Sequence, residues 1–336
     1  MGGSCIFGLA GILAVVVLTA PTFSAQAQVA PRSEIPIHDV VLSDGEHRFT
    51  IPIIVGGVQI EAGLDSGSTG LRILPGVVPA SAEQHIGHRE TYGYDSGTEF
   101  EGPIVEADTT IGIGGRSRFQ QIDIVRCHNG ARSCPAARVK PAEFGIQGSG
   151  LPGEGFKAII GINMAADSAP NPLVALGARR WIIELPRPGD DKPGRLVLNP
   201  ADAEVAEYKT MHIDAQFSDQ RGGLHDAVQG CLVNQSNKRS YCGPADLDTG
   251  APGVQVATPG PTNPWEAQAP ATMVFYEKGQ PIIGAEFKVE GDPGARVTIR
   301  SEPRSRLTRL YFGILPYYAF SVLYDPQAKA IGLKPR

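Results

Sequence analysis

Charged side chains are absent from residues 1–27 of this 336-residue chain, although they make up 19% of the whole sequence. Within that segment, Ile6 to Ala20 is almost wholly apolar, and Ala25-Gln26-Ala27 offers the small residues that a signal peptidase recognises. The sequence therefore predicts a secretory signal peptide over residues 1–27, removed after about Ala27. The alternative is an uncleaved N-terminal anchor, for which an apolar run of about 15 residues is short.

Long apolar runs and blocks of basic charge are also lacking in the rest of the chain. The net charge is −5 at pH 7 and the isoelectric point is about 5.8. Nucleic acid is therefore excluded as a partner, because binding to phosphates requires a concentration of Lys and Arg. Without a second spanning segment, no membrane partner is expected once the signal has been removed.

The patterns of several other enzyme classes are missing. The seven His residues form no HExxH motif, and no G-x-S-x-G nucleophile elbow is present. The glycine-rich segment Gly145–Gly155 lacks the Lys-Ser/Thr pair of a phosphate-binding loop and is interpreted as a flexible loop. His85 and His88 are interpreted as part of the solvated face of a short helix. No metal ion and no organic cofactor is therefore expected.

Cysteine is scarce, with five residues, of which Cys5 lies in the predicted signal peptide. The other four fall in two close pairs, Cys127 with Cys134 and Cys231 with Cys242. Three pairings are possible in principle, and the two local disulfides fit short loops best. A metal site at Cys127-His128 and Cys134 is the alternative, but four ligands at a recognised spacing are missing. Disulfides agree with an exported protein, secreted or periplasmic.

Long helical periodicity is scarce as well. Gly (41) and Pro (28) are scattered among short apolar runs, which is typical of many strands joined by tight turns. The sequence therefore predicts an all-β protein with a few short helices and a polar linker at Pro186–Pro193. Strands are predicted at His47–Val55, Gly102–Gly112, Gln121–Val125, Trp181–Leu185, Arg195–Leu198, Tyr208–Ile213, Thr272–Tyr276, Lys288–Ile299 and Phe320–Tyr324, and helices at Ala80–Ile86, Pro172–Arg179 and around Pro264–Ala269.

Two short segments of one type carry the strongest chemical signal. Ala62–Gly70 reads Ala-Gly-Leu-Asp-Ser-Gly-Ser-Thr-Gly, and Ala245–Gly253 reads Ala-Asp-Leu-Asp-Thr-Gly-Ala-Pro-Gly. Each places a carboxylate after an apolar strand residue and before a hydroxyl residue and Gly. Gly allows a tight turn, and the hydroxyl can bond to nearby backbone. One Asp-x-Gly is common turn chemistry, but two in such settings indicate that Asp65 and Asp248 act together.

The surroundings of these elbows resemble the pepsin-like aspartic peptidases, and the resemblance covers most of the mature chain. Phe156–Asn163 and Leu310–Gly313 look like the apolar-apolar-Gly motif that follows each elbow in that family, and Tyr317–Leu333 is similar to its last hairpin. The resemblance implies a two-lobed fold, with a lobe over 28–190 and a second over 191–336, each a barrel-like β-sandwich with one elbow. Segments that look more like bacterial members are Leu71–Leu74, Asn171–Val174 and Trp181–Pro186.

The resemblance also implies an endopeptidase in which Asp65 and Asp248 activate one water, without a cofactor. Two adjacent carboxylates share a proton, as is already known for this family. The flap of the family matches Glu90–Gly102, with Tyr94, three residues before Gly97, as the flap tyrosine and Tyr92 as the alternative. A peptide or protein substrate would lie extended in the cleft between the lobes, and the chain would act as a monomer. The residues expected to support the elbows are Ser66, Gly67, Ser68, Thr249 and Gly250.

Three residues depart from the family pattern. Ala251 stands where two-lobed relatives have Ser or Thr, so the two carboxylates are expected to be inequivalent. Arg72 stands where many relatives have Trp, and is expected to pair with acidic substrate groups or to loosen the flap. Ile314 replaces a frequent Asp near Asp248. Because of these departures, two other functions stay open: a peptide-binding protein on the same scaffold without turnover, and a structural β protein of the cell envelope.

A further expectation concerns activation. The segment from Gln28 to about Val40 is too short for a typical inhibitory pro-segment of the family, so no zymogen step is predicted.

Overall fold

The computed structural model describes residues 1–3, 30–128, 131, 134–167, 169–213, 217–218 and 224–336. The predicted signal peptide lies, from residue 4 onward, outside the described residues, and so does Cys5. Within the described part of the chain, no helix is long and apolar enough to cross a bilayer.

The chain forms an all-β, two-lobed fold with two large sheets, as predicted. Helices are short in the part of the chain that the structure describes: α1 (Pro172–Ala175), α2 (Asp202–Val205) and α3 (Leu315–Ala319). Asn171 caps α1 by accepting hydrogen bonds from the backbone N–H groups of Leu173 and Val174.

The first lobe is built from strands whose alternate residues face its core. In β2, Phe49, Ile51, Ile53 and Val55 are all buried, with the period of two that a half-covered strand requires. The sheet order is β2-β3-β9-β4-β7-β6-β5, and a pairing of β2 with β6 closes it on itself. These strands are β2 (His47–Val55), β3 (Val58–Asp65), β4 (Thr69–Ile73), β5 (Gln84–Gly93), β6 (Thr98–Ile111), β7 (Ile113–Gln121), β8 (Ile124–Cys127, paired with β6) and β9 (Ala158–Ile162).

The second lobe repeats the central part of this topology. In the first lobe β9 lies between β3 and β4, parallel to β3 and antiparallel to β4. In the second lobe β21 lies in the same way between β16 and β17. The sheet order is β19-β18-β15-β16-β21-β17-β20. Its strands are β15 (Val228–Asn234), β16 (Ser240–Asp246), β17 (Val254–Thr258), β18 (Pro270–Glu277), β19 (Gln280–Lys288), β20 (Val297–Ser301) and β21 (Arg309–Tyr311).

A third layer joins the lobes, with the strand order β12-β23-β22-β10-β11-β1 and antiparallel pairing throughout. Trp181 stacks on Tyr324 in its centre, with ring centroids 5.8 Å apart. The predicted lobe boundary near residue 190 falls between two strands of this layer. Its strands are β1 (Ser33–Val41), β10 (Trp181–Glu184), β11 (Gly194–Leu198), β12 (Lys209–His212), β22 (Phe320–Asp325) and β23 (Ala330–Pro335); β13 (Phe217–Ser218) and β14 (Leu224–His225) form a separate pair.

Several local predictions were wrong. The predicted helix Ala80–Ile86 is one turn over Ala80–Ala82, because Gln84 and His85 pair with β6; His85 and His88 therefore lie on a strand. Pro264–Ala269 is not helical, since Gln268 N–H bonds to Val289 O instead. Lys288–Ile299 is not one strand: the chain turns at Glu290, whose φ is +54°, before β20 begins. Gln121–Val125 spans a break between β7 and β8.

Candidate active site

The two elbows hold each other through four reciprocal hydrogen bonds. Ser66 N–H donates to Thr249 Oγ1 at 3.0 Å, and Thr249 N–H donates to Ser66 Oγ at 2.9 Å. The same hydroxyls donate across the molecular centre, Ser66 Oγ to Leu247 O at 2.8 Å and Thr249 Oγ1 to Leu64 O at 2.9 Å. Both hydroxyl residues are 1% exposed, so water does not compete for these bonds. The second position of each elbow therefore locks the lobes together.

This lock brings Asp65 and Asp248 face to face. A Cβ placed on Gly67 would lie 2.4 Å from Asp248 Cγ, and one on Gly250 would lie 2.7 Å from Asp65 Oδ1. The carboxyl groups are close enough that Asp65 raises the pKa of Asp248. Each elbow needs Gly at its third position because the carboxyl of the opposite lobe occupies the space that a side chain would fill.

The two carboxyls receive different numbers of donors from their own elbows. Asp65 accepts from Gly67 N–H at 3.0 Å and from Ser68 Oγ at 2.6 Å. Asp248 accepts from Gly250 N–H at 2.7 Å, and the next residue, Ala251, has no hydroxyl to add. The site is therefore asymmetric in its hydrogen bonding, as Ala251 leads one to expect.

Asp248 holds a proton more tightly than an ordinary aspartate. Burial raises its pKa well above 3.8, the nearby Asp65 and Asp246 raise it further, and the Gly250 N–H opposes them. Asp246 is 1% exposed, ends β16 and precedes Asp248 by two residues. Sequence reasoning missed Asp246, although it lies within the second elbow segment.

Two buried tyrosines support the elbows from the last hairpin. Tyr317 OH lies 2.7 Å from Ser66 Oγ and 2.6 Å from Tyr324 OH, and it donates to Leu247 O at 3.1 Å. Burial raises the pKa of both hydroxyls, so they remain neutral donors. Sequence reasoning gave neither residue a role, because 251 residues separate Ser66 from Tyr317 and no local pattern links them.

The flap segment is a hairpin of β5 and β6 closed by a turn at residues 94–97. Tyr94 N–H bonds to Thr98 O at 2.8 Å, and Gly97, with φ +89°, supplies the left-handed residue of the turn. Tyr94 faces the cleft, and burial raises its pKa to about 12, with Asp65 adding to the rise and Arg72 opposing it. The ring of Tyr92 packs over Arg72, so Arg72 lies close to both candidate tyrosines.

Arg72 is turned away from the space where substrate would bind. It is 1% exposed, and its Nη1 donates to Thr69 O at 2.6 Å. Its Nη2 lies 3.3 Å from Asp167 Oδ2, and its guanidinium lies 3.4 Å from the centre of the Tyr92 ring. The expectation that Arg72 pairs with acidic substrate groups was therefore wrong, because the cation is buried and its partners lie within the protein. That it loosens the flap stays a prediction.

A cavity of about 280 Å³ opens beside the two carboxyls. Its wall on the first lobe includes Tyr94, Phe100 and Phe144, whose rings meet in tilted and edge-on contacts with centroid distances of 5.3 and 6.1 Å. The polar residues Asp95, Ser96 and Thr98 belong to the same wall. The second lobe contributes Ala251, Pro252 and Gln255. Gln147 and Arg48 add polar groups, so the cavity can take an apolar side chain next to a polar backbone.

Both predicted local cysteine pairs are at disulfide distance, with Cα–Cα separations of 6.0 Å for Cys127–Cys134 and 4.1 Å for Cys231–Cys242. The first pair lies against the flap turn, where a Cβ on Gly97 would come within 2.9 Å of Cys134 Cβ. The second links β15 to β16. Among the described residues, no three His, Cys, Asp or Glu side chains are grouped to hold a metal ion.

Comparison of the chain with models of known protein families gave no match, and comparison with curated proteins gave none either.

Proposed function

We propose that this protein is an aspartic endopeptidase in which Asp65 and Asp248 activate one water molecule for attack on a peptide bond. The observation that supports the proposal most directly is the reciprocal bonding of the elbows, which sets a carboxyl from each lobe against the other. Two unrelated turns that lie 183 residues apart are not expected to exchange hydrogen bonds between their N–H and hydroxyl groups.

The asymmetry of the pair assigns the two carboxyls different roles. Asp248 carries the shared proton, since burial and the neighbouring aspartates raise its pKa, and Asp65, with two donors around it, acts as the base. Asp65 takes a proton from water as the water oxygen attacks the carbonyl carbon, and Asp248 donates its proton to the carbonyl oxygen. The resulting diol collapses when the now protonated Asp65 donates its proton to the amide nitrogen and Asp248 takes a proton back from a diol hydroxyl. The C–N bond then breaks, an amine and a carboxylic acid leave, and the pair returns to its starting state.

The cleft indicates how a peptide would be held. An extended chain beneath Tyr94 would run between the flap and the second elbow, with one side chain in the aromatic cavity. We infer that an apolar side chain next to the scissile bond is preferred, because the Phe100 and Phe144 rings offer no hydrogen bonds there.

The proposed place of action is outside the cytoplasm, secreted or periplasmic. The two cysteine pairs support this, because disulfides persist in oxidising compartments. The sequence of residues 1–27 supports it as well, through its apolar run and small-residue cleavage site.

The alternative is a peptide-binding protein on this scaffold that lacks turnover. The presence of both elbow aspartates, each against the glycine of the opposite elbow, favours catalysis. Purified protein should be incubated with a denatured protein substrate at pH 3–5, with and without pepstatin.

We expect pepstatin-sensitive cleavage, and a loss of at least about 10³-fold in kcat in Asp65→Asn and in Asp248→Asn. Asp325→Asn is the matched control, since Asp325 only accepts turn bonds from Gln327 and Ala328, and it should keep full activity. Pepstatin binding without cleavage would favour the alternative function. If the protein shows neither pepstatin binding nor cleavage, both the peptidase function and the peptide-binding alternative are overturned.

A further inference from the structure

Arg72 is a buried cation for which the sequence offered no consistent role. It lies in β4, where its backbone is fixed between Gln120 of β7 and Ile159 of β9. Burial of a guanidinium is costly unless hydrogen bonds and opposite charge compensate it. Here the compensation comes from Thr69 O, from the partly exposed Asp167 and from the face of Tyr92.

The contact with Tyr92 links the first elbow to the flap. Tyr92 belongs to β5, on the flap side of the cleft, and its ring meets the Tyr94 ring edge-on at 5.0 Å. Tyr94 in turn lines the cavity beside Asp65. A second tie lies next to the first, because Gln120 Nε2 donates to Glu90 O at 2.8 Å. The flap therefore contacts side chains of β4 and β7, two strands of the first-lobe sheet.

We propose that Arg72 is a positioning residue for peptide hydrolysis: its guanidinium, stacked beneath Tyr92, fixes the distance of Tyr94 and of the flap from Asp65. This inference rests on the proposed peptidase function. It assigns Arg72 no contact with substrate, since the side chain is 1% exposed.

The geometry sets a chemical requirement at this position. A planar cation can stack on the ring at 3.4 Å and still donate in its plane to Thr69 O and Asp167. A Lys ammonium is compact and strongly hydrated, so it cannot replace both contacts. A Met side chain fills similar volume but removes the charge and the donors.

The test is hydrogen exchange of the flap, which requires no substrate. Exchange of backbone amides in residues 84–101 should accelerate by about tenfold in Arg72→Met, as loss of a desolvated cation–π contact implies, and Arg72→Lys should not restore protection. Arg180→Met is the matched control, because Arg180 also donates to a backbone carbonyl, that of Pro200, and does not line the cleft cavity. Flap protection in the control should equal that of the wild type.

Kinetics separate this inference from the proposed function. In an active wild type, Arg72→Met and Arg72→Lys should raise KM and the pepstatin Kd about tenfold, with kcat changed by less than about threefold. Tyr92→Leu should give the same result, and adding it to Arg72→Met should have little further effect. If Arg72→Met does not fold, flap exchange and KM in Tyr92→Leu test the role of Arg72.

Unchanged flap exchange and unchanged KM in these variants would overturn the role of Arg72. A wild type that does not cleave overturns the proposed function instead, while the exchange experiment still reports whether Arg72 holds the flap.

Discussion

Ser68 and Ala251 occupy matching positions in the two elbows, and only the first offers a hydroxyl. Ser68 donates to Asp65 at 2.6 Å, whereas Asp248 has Gly250 N–H from its own elbow. A donor stabilises a carboxylate more than a carboxylic acid, so this single difference helps to decide which member of the pair keeps the proton.

We expect Ala251→Ser to shift the alkaline limb of the pH profile of kcat/KM to lower pH by roughly half to one pH unit, if the new hydroxyl bonds to Asp248. The sign follows because the added donor lowers the raised pKa of Asp248, so the required proton is lost at lower pH. Ala251→Gly, which adds no donor, is the control for packing. An alkaline limb that stays in place in Ala251→Ser would contradict this assignment.

At the scale of single residues, the sequence predicted the two elbows but not the residues that hold them in place. Asp65 and Asp248 could be predicted because each lies in a short motif with a chemical reason for every position. Tyr317 could not, because it meets Ser66 only after the chain has folded. Arg72 was visible as a departure, but its burial excludes the expected pairing with substrate, since a charge with no water around it must find partners inside the protein.

Among the elements, the flap hairpin is held from several sides. β8 pairs with β6 beside the turn, with Thr98 opposite Cys127, and His128 N–H donates to Gly97 O at 2.8 Å. Arg126 of β8 also forms ion pairs with Glu99 and Glu101 of β6. The Cys127–Cys134 disulfide fixes the end of β8, so it restrains the flap as well as its own loop.

Replacing Cys127 and Cys134 together by Ser should therefore affect both stability and substrate affinity. The free energy of unfolding should fall by about 2.5 kcal/mol on the loop-entropy account. KM should rise in addition, because the flap loses a support. The matched pair Cys231→Ser/Cys242→Ser should lose similar stability in urea denaturation and leave KM unchanged; an equal KM in both double variants would contradict a flap role for the first disulfide.

Element boundaries were predictable where side-chain alternation decides them, and not where pairing partners decide them. β2 was predicted to the residue because its alternate residues are apolar. The Lys288–Ile299 prediction overlooked the turn sequence Gly291–Gly294, at which the chain turns before β20 pairs with β17. Gln84 and His85 were predicted in a helix, but they pair with β6 instead. The distant strand that a segment will join is not encoded in the segment.

At the scale of the molecule, the lobes meet at a salt bridge as well as at the elbows. Glu46, in the turn before β2, pairs with Arg48 of its own lobe at 2.8 Å and with Arg296 of the second lobe at 2.6 Å. Partial burial raises the pKa of Glu46, but the hydrogen bonds from Arg296 and Arg48 outweigh burial, and the net pKa is lowered below 4.5.

Glu46→Gln should therefore lower stability in a pH-dependent way. A carboxyl with a lowered pKa in the folded state stabilises the protein above its unfolded pKa of about 4.5, and this contribution is lost as the pH falls through the folded value. We expect a loss of about 1 kcal/mol at pH 7 that shrinks toward pH 3, measured by urea denaturation. The exposed Glu207 serves as the control, and Glu207→Gln should show no such trend. A loss that is equal at both pH values would contradict the electrostatic explanation.

The layer that joins the lobes has a consequence for biosynthesis. β1, among the first strands to be made, ends in a sheet with β22 and β23, which are the last, and Tyr317, which props the first elbow, also comes from that final stretch. Contacts so distant along the chain form late and slowly. A chain in which these residues have not yet been made therefore lacks the tyrosine beside Ser66 and the strand that pairs with β10, so the Asp65–Asp248 pair is assembled late. Under the proposed peptidase function, activity would begin only after that assembly.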